Sequence, residues 1–275
     1  MQQRLRGTRI ALFESRLATE ISDLVRRSGG VPVCVPAVRE RRRPATIDVG
    51  SLLVELQGEP HPVFVFSTGV GVSALFDEAR ALGRGAELRD AISRGVTVCR
   101  GPKPVAALHR EGATASVRAR SPFTTAEFIA ALAGVELQGR MTVLVHYGER
   151  NEPLAAALVA RGARLRELTL YEWELPEDTA PLERLVEELA QGQFAAAAFT
   201  TQIQGRNLLA VADGMGRKAD LVDALRERVV IAAVGPTCAR VLAELGIPPQ
   251  VVPDTPKMAA MLNALVDHLT PAQGR

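Results

Sequence analysis

Short apolar runs alternate with longer stretches in which apolar residues recur every three or four positions. The runs are Ile10–Phe13, Val31–Val35, Val63–Phe66, Val96–Cys99, Ala115–Ala119, Met141–Tyr147, Leu165–Leu170, Ala195–Phe199, Val229–Val234 and Pro249–Val252. Most are apolar almost throughout, which suits strands covered by helices on both faces of a parallel sheet. Between them, Leu17, Ile21, Leu24 and Val25 share one helical face, as do Leu154, Leu158 and Val159. Gly29, Gly83, Gly112, Gly162 and Gly246 close such stretches. Glycine fits a helix end because the chain there often turns left-handed. The pattern predicts an α/β protein built of doubly wound parallel sheets.

The pattern is also written twice. Val65-Phe66-Ser67-Thr68, with a helix closing at Gly83, returns as Ala198-Phe199-Thr200-Thr201, closing at Gly216. Val98 to Pro102, with Ala106, Leu108 and Gly112, returns as Ala232 to Pro236, with Arg240, Leu242 and Gly246. Gly7 to Phe13, closing at Gly30, returns as Gly139 to Val145, closing at Gly162. The offset stays between 132 and 134 residues in all three blocks. Two similar domains are expected, in a bilobed molecule whose interdomain cleft would hold a ligand.

Composition narrows the classes of function. With 275 residues, 47% hydrophobic and 23% charged, the chain suits a soluble protein with room for two cores. A net charge of +2 gives no footprint for nucleic acid. No run is long enough to span a membrane, and Met1 to Arg6 lead straight into a strand pattern rather than a leader core. Cys34, Cys99 and Cys238 are far apart and lie in or beside apolar runs, which fits reduced thiols in a cytoplasm. No Cys/His spacing suggests a metal site.

Two segments break the alternation. Residues 36–58 are rich in Arg and Pro, and residues 167–181 are extended and then acidic. Both follow a strand-helix-strand unit at equivalent points of the repeat, and are expected to cross between domains. The run Arg39-Glu40-Arg41-Arg42-Arg43 reads as a solvated linker or as a basic rim for an anionic ligand.

Candidate chemistry collects in the turns after the strands, where parallel sheets bind ligands and helix N-termini favour anions. These turns are Ser67-Thr68-Gly69-Val70-Gly71, Arg100-Gly101-Pro102-Lys103-Pro104, Tyr147-Gly148-Glu149-Arg150-Asn151, Thr200-Thr201-Gln202-Ile203-Gln204 and Gly235-Pro236-Thr237. Helix capping alone would account for the Ser and Thr of any one turn. Gly69-Val70-Gly71-Val72-Ser73-Ala74 fits a dinucleotide fingerprint, but the next strand ends at Arg100 with no acid for a ribose, which leaves NADP as the only nicotinamide cofactor to weigh. Tyr171, between Leu170 and Glu172 in the second crossing, is either a functional hydroxyl or an aromatic packing at a hinge.

At these points the chain resembles the uroporphyrinogen-III synthase family, from about Gly7 to Leu269. The matching stretches are Phe66-Ser67-Thr68, Gly101-Pro102-Lys103-Pro104-Val105-Ala106-Ala107-Leu108, Leu170-Tyr171-Glu172, Phe199-Thr200-Thr201 and Ala233-Val234-Gly235-Pro236-Thr237-Cys238-Ala239. The resemblance implies two like α/β domains joined by a two-stranded β-ladder. One domain would be discontinuous, residues 1–36 plus 174–269, and would enclose the other, 41–165. The linker strands would be 34–41 and 166–174. It further implies a cytoplasmic, monomeric lyase that needs no cofactor. Its substrate would be hydroxymethylbilane, a linear tetrapyrrole with four acetate and four propionate groups. The enzyme inverts the last ring, closes the macrocycle and loses water. Carried over by motif, Tyr171 would be the proton donor. The substrate would be held by Ser67, Thr68, Gly69, Val70, Gly71, Arg100, Gly101, Pro102, Lys103, Tyr147, Gly148, Thr200, Thr201, Gln202, Ile203, Gly235, Pro236 and Thr237. Two positions depart from the family: Pro104 replaces a threonine, and Glu14 stands where a Thr-Arg pair is common. They keep open a non-catalytic, tetrapyrrole-sensing relative, with an NADP-dependent reductase as a third reading.

Overall fold

The computed structural model describes residues 4–146 and 148–270. The chain opens with β1 (Arg9–Leu12), α1 (Ala18–Arg27), β2 (Val31–Cys34) and β3 (Arg39–Arg42). It continues through α2 (Thr46–Gln57), β4 (Val63–Phe66), α3 (Gly69–Ala81), α4 (Gly85–Arg94), β5 (Val96–Cys99), α5 (Pro102–Arg110), β6 (Val117–Arg118), α6 (Thr125–Ala131), β7 (Met141–Val145), α7 (Glu152–Ala160) and β8 (Arg164–Leu168). Then come β9 (Tyr171–Glu174), α8 (Ala180–Ala190), β10 (Ala196–Phe199), α9 (Gln202–Gly214), α10 (Lys218–Glu227), β11 (Val230–Ala233), α11 (Pro236–Glu244) and α12 (Met258–Leu269).

Among the described residues the strands form sheets of order β11-β10-β1-β2, β6-β5-β4-β7-β8 and β3-β9. The first two are parallel. The contacts divide the chain into two compact units: residues 4–39 with 174–270 (unit 1), and Glu40–Trp173 (unit 2). Each unit holds one parallel sheet, and the repeat reappears as topology. β10, β11, β1 and β2 of unit 1 take the places that β4, β5, β7 and β8 take in unit 2.

Both faces of each sheet are buried, which is why the strands are apolar throughout. In β4, Phe64 and Phe66 point into one core with residues of α2, α3 and α5, while Val63 and Val65 point into another with residues of α6 and α7. In β1, Ala11 packs with Phe199, Leu208 and Leu242, while Ile10 and Leu12 pack with Ile21, Val25 and Leu265. Phe13 stacks on Phe199 with ring centroids 4.6 Å apart.

Two strands are shorter than the apolar runs predict, for one reason. The run Ala115–Ala119 pairs only at Val117–Arg118, and Pro249–Val252 reduces to a bridge between Ala232 and Val251. Both lie at a sheet edge, and in both a side chain does part of the work of the ladder. Ser116 Oγ accepts from the Thr97 N–H at 3.1 Å, and Gln250 Oε1 accepts from the Ile231 N–H at 2.7 Å.

The basic run is not a bare rim but a mostly exposed linker strand. It is β3, and its arginines are paired. Arg39 Nη2 lies 3.0 Å from Glu174 and also meets Glu177; Arg41 and Arg43 reach Glu172 at 3.2 and 2.9 Å; Arg42 reaches Asp77 at 2.6 Å. The charges that suggested an anion site are met by acids on and beside β9 and, for Arg42, by Asp77 of α3. The second crossing also begins later than the sequence pattern suggests, since Arg166 to Leu168 belong to β8.

The helix-closing glycines have the expected geometry. Gly246 follows α11 at φ 83°, with open space where a Cβ would stand. Gly246→Ala should therefore cost only the backbone term, about 1–2 kcal/mol, read as a lowered denaturant midpoint with an unchanged slope.

Candidate functional site

In each unit the winding reverses beside a central strand. In unit 2 the chain runs from β4 out to β6 and from β7 to β8; in unit 1 it runs from β1 to β2 and from β10 to β11. The crevice beyond the carboxyl ends of the strands at such a reversal is where open α/β sheets place ligands.

At the reversal of unit 2, Ser67 and Thr68 follow β4. Thr68 is the N-cap of α3, and its Oγ1 accepts from the Gly71 N–H at 3.0 Å. The same oxygen lies 2.8 Å from the Tyr171 hydroxyl. Tyr171 has no exposed surface, and Thr68 is 7% exposed. The phenol is thus a buried group, attached to the start of α3 through Thr68. Ser67 Oγ is buried without a hydrogen-bond partner among the described residues. Val70 is half-buried.

The glycines of this turn serve the fold. A Cβ on Gly69 would stand 2.9 Å from the Lys103 carbonyl oxygen, so the starts of α3 and α5 touch backbone to backbone. A Cβ on Gly71 would meet Val145 at 2.9 Å. Packing within the unit therefore accounts for both glycines of the apparent dinucleotide fingerprint.

Next to this turn, Gly101 caps α5, with Pro102 at its first position. Gly101 is buried, Arg100 is half-buried, and Pro102 and Lys103 are exposed. Phe123, which sequence reasoning passed over, holds a left-handed φ of 62° and lays its ring 3.4 Å from where a Gly101 Cβ would stand. After β7, Tyr147 lies outside the described residues. Gly148, at φ 71°, leaves room for Trp173, whose indole would come within 2.7 Å of a Cβ there.

In unit 1, Thr200 to Ile203 follow β10, where Gln204 knits the turn together. Its Oε1 accepts from the Thr200 and Thr201 N–H groups at 2.8 and 3.2 Å, and its Nε2 donates to the Phe13 carbonyl at 3.2 Å. Thr200, Thr201, Gln202 and Ile203 are half-buried. Gly235 caps α11 against Pro256, with Pro236 and Thr237 exposed. The candidate residues thus fall into two sets at equivalent places of the two sheets, one set in each unit.

A polar cluster at the end of β7 was not legible in the sequence. His146 is 2% exposed, and its Nε2 lies 2.7 Å from Glu167 Oε2. The Asn151 N–H donates to Nδ1 at 3.3 Å, so the ring carries its proton on Nε2 and donates it to Glu167. Arg150 grips both oxygens of Glu167 at 2.8 Å. Asn151 also caps α7 and donates to Thr125 at 3.1 Å. Its spacing resembles no familiar motif; only the parallel pairing of Leu144 with Glu167 brings the acid beside the histidine.

Cys99 and Cys238 are buried, and burial pushes both thiols up to about 12. Among the described residues no group of His, Cys, Asp or Glu is placed to hold a metal ion, and no helix is long and apolar enough to cross a membrane.

Arg150 first, and His146 with it, hold the Glu167 carboxyl below the usual glutamate range. A lowered folded-state value stabilises the protein above the unfolded glutamate range, and that stability is lost as pH falls through the folded value. Glu167→Gln should therefore be less stable than the parent at neutral pH and should lose less stability on acidification through that window. Urea midpoints measured from neutral pH down to pH ~3 check this; parallel curves would refute it.

The chain has relatives among known proteins. The family described as "Uroporphyrinogen-III synthase HemD" matches residues 19–263. The chain is 31% identical over 273 residues to the "Uncharacterized protein YjjA" of Bacillus subtilis (strain 168), covering 98% of each chain. It is 32% identical over 143 residues to a "Putative uroporphyrinogen-III synthase" of Methanothermobacter thermautotrophicus, a match covering 52% of this chain and 55% of that one. Among solved structures, a mutant uroporphyrinogen III synthase from the extremely thermophilic bacterium Thermus thermophilus superposes with a TM-score of 0.74 at 29% identity, covering 96% of this chain and 99% of that one. The sheet order, the strand-end turns and these likenesses together make the chain a member of the uroporphyrinogen-III synthase family.

Proposed function

We propose that this chain converts hydroxymethylbilane to uroporphyrinogen III. The observation that carries this reading is the buried Thr68–Tyr171 pair at the reversal point of a sheet whose family acts in tetrapyrrole synthesis. The substrate is a polyanion, and the turns after the strands offer the starts of α3, α5, α9 and α11. Each helix N-terminus contributes roughly 0.3–1 kcal/mol toward a carboxylate at an exposed site. Several such contacts, with Arg100 and Lys103 beside those of unit 2, hold the acid groups.

The reaction is a cyclisation with loss of water and no net change of oxidation state. Its main demand is to hold a flexible chain in one closing geometry. Its second demand is a proton for the departing hydroxyl. Because the Tyr171 hydroxyl is enclosed, Thr68 is the group that touches the substrate. Thr68 Oγ1 gives its proton to the leaving oxygen as the C–O bond breaks and water departs, Tyr171 restores that proton, and the proton released from the pyrrole carbon on ring closure returns to the phenolate. The start of α3 favours the phenolate left behind. The burial of Tyr171 also gives weight to a second reading, in which the chain binds a linear tetrapyrrole without turning it over.

Fresh hydroxymethylbilane, incubated with and without protein and then oxidised, separates the two. Isomer III formed above the spontaneous background of isomer I is the expected result. Isomer I alone would reject the synthase and favour the binding reading. Tyr171→Phe and Thr68→Val should each lower kcat by about 100-fold or more with little change in KM. Full activity in both variants would remove the relay and leave Tyr171 as packing.

A further inference from the structure

Glu14 stands at the reversal point of unit 1, just past β1 and beside the end of β10. Its Oε1 accepts from the Thr200 hydroxyl and lies 3.4 Å from Gln204 Nε2. Its Oε2 accepts from the Leu17 N–H at 3.4 Å. Gln204 Nε2 in turn donates to Thr200 Oγ1 at 3.0 Å. The hydroxyl after β10 therefore already has both a donor and a carboxylate acceptor from its own unit.

The repeat shows that this is particular to unit 1. Gly7 to Phe13 align with Gly139 to Val145, which sets Glu14 opposite His146. Phe66-Ser67 align with Phe199-Thr200, which sets Thr200 opposite Ser67. In unit 2 the His146 ring is turned to Glu167, and Ser67 Oγ has no partner among the described residues. One reversal point carries a carboxylate on its strand-end hydroxyl; in the other the equivalent side chains do not meet.

We propose that Glu14 is a specificity-determining residue. Its carboxylate serves the Thr200 hydroxyl in place of a ligand acid group, and its charge limits how many acid groups unit 1 accepts. The inference rests on the reading above only in taking a polycarboxylate tetrapyrrole as the ligand class. Unit 2, with the Ser67 hydroxyl and the exposed Lys103, then carries the larger share of anion recognition.

The test uses the full chain and the fluorescence of Trp173, its single tryptophan. Octacarboxylate uroporphyrin III and a tetracarboxylate porphyrin are titrated into the parent, Glu14→Gln and Glu14→Asp. Glu14→Gln keeps the shape and an acceptor oxygen but loses the charge. It should bind the octacarboxylate about five- to tenfold more tightly and the tetracarboxylate with a smaller gain, as like-charge repulsion requires. Raising the salt should shrink the gain. Glu14→Asp should stay near the parent. Glu14→Ser repeats the charge removal should Glu14→Gln fail to fold. Parent binding with no gain in the charge-free variants, or an equal gain in Glu14→Asp, overturns the role of Glu14 and leaves the functional reading standing. Folded parent and variants that bind neither porphyrin overturn the functional reading, and the proposal with it.

Discussion

Everything in unit 1 depends on one piece of pairing, the parallel contact of β1 with β10. Ile10, Ala11 and Leu12 stand beside Ala196, Ala197 and Ala198, although 186 positions separate each pair in the chain. Without that register the unit has no continuous sheet, because β2 pairs with β1 and β11 pairs with β10. The composition of β10 makes the contact possible. Three alanines in a row let helices close on both faces of a central strand, and Phe199 supplies at its end the bulk that stacks on Phe13. The pairing costs the closure of a long loop, which is offset because both strands are then buried on both faces. It also creates the reversal point, and so sets Glu14 beside Thr200.

The same logic accounts for the two-stranded sheet of β3 and β9. These strands lie where the chain passes out of unit 1 and back into it, and neither joins a parallel sheet. Tyr171 of β9 is buried against Thr68 at the start of α3, while their charged side chains are exposed or half-exposed, with arginine on β3 and glutamate on or just after β9. Each such pair contributes at most about 1 kcal/mol at this exposure, so the pairs match the strands to one another more than they stabilise the whole.

What could be read from the sequence follows from these facts. The alternation of runs gave the α/β class because burial on both faces leaves a simple apolar signature. The repeat gave two like sheets because an offset needs no knowledge of contacts. The strand-end turns could be found because a helix start after a strand has its own residue preferences. The arginine strand was expected only through the family resemblance, as part of the linker 34–41, since its charge hides the extended backbone and its acid partners lie far along the chain. The His146–Glu167–Arg150 cluster could not be found, since it exists only through the register of β7 with β8. Glu14 stood out in the sequence as a departure from the family pattern. Its hydrogen bonds to Thr200 and Leu17 depend on parallel pairing and on the turn into α1, which spacing does not reveal.

The two halves show how a repeated unit diverges while its backbone stays the same. In both, a strand ends in Phe followed by two hydroxyl residues and a helix start. In unit 2 the second hydroxyl, Thr68, caps the helix and meets a phenol; in unit 1 the first, Thr200, meets a carboxylate. A phenol can give up a proton, while a carboxylate can only repel or accept. On the proposed reading, the unit whose hydroxyl meets the phenol serves the leaving group, and the one whose hydroxyl meets the acid limits charge. Those two tasks do not coexist well at one reversal point: an acid beside Tyr171 would oppose the phenolate that forms when its proton leaves, by like-charge repulsion at close range. Duplication would allow the two to be kept apart, each at the reversal point of its own sheet.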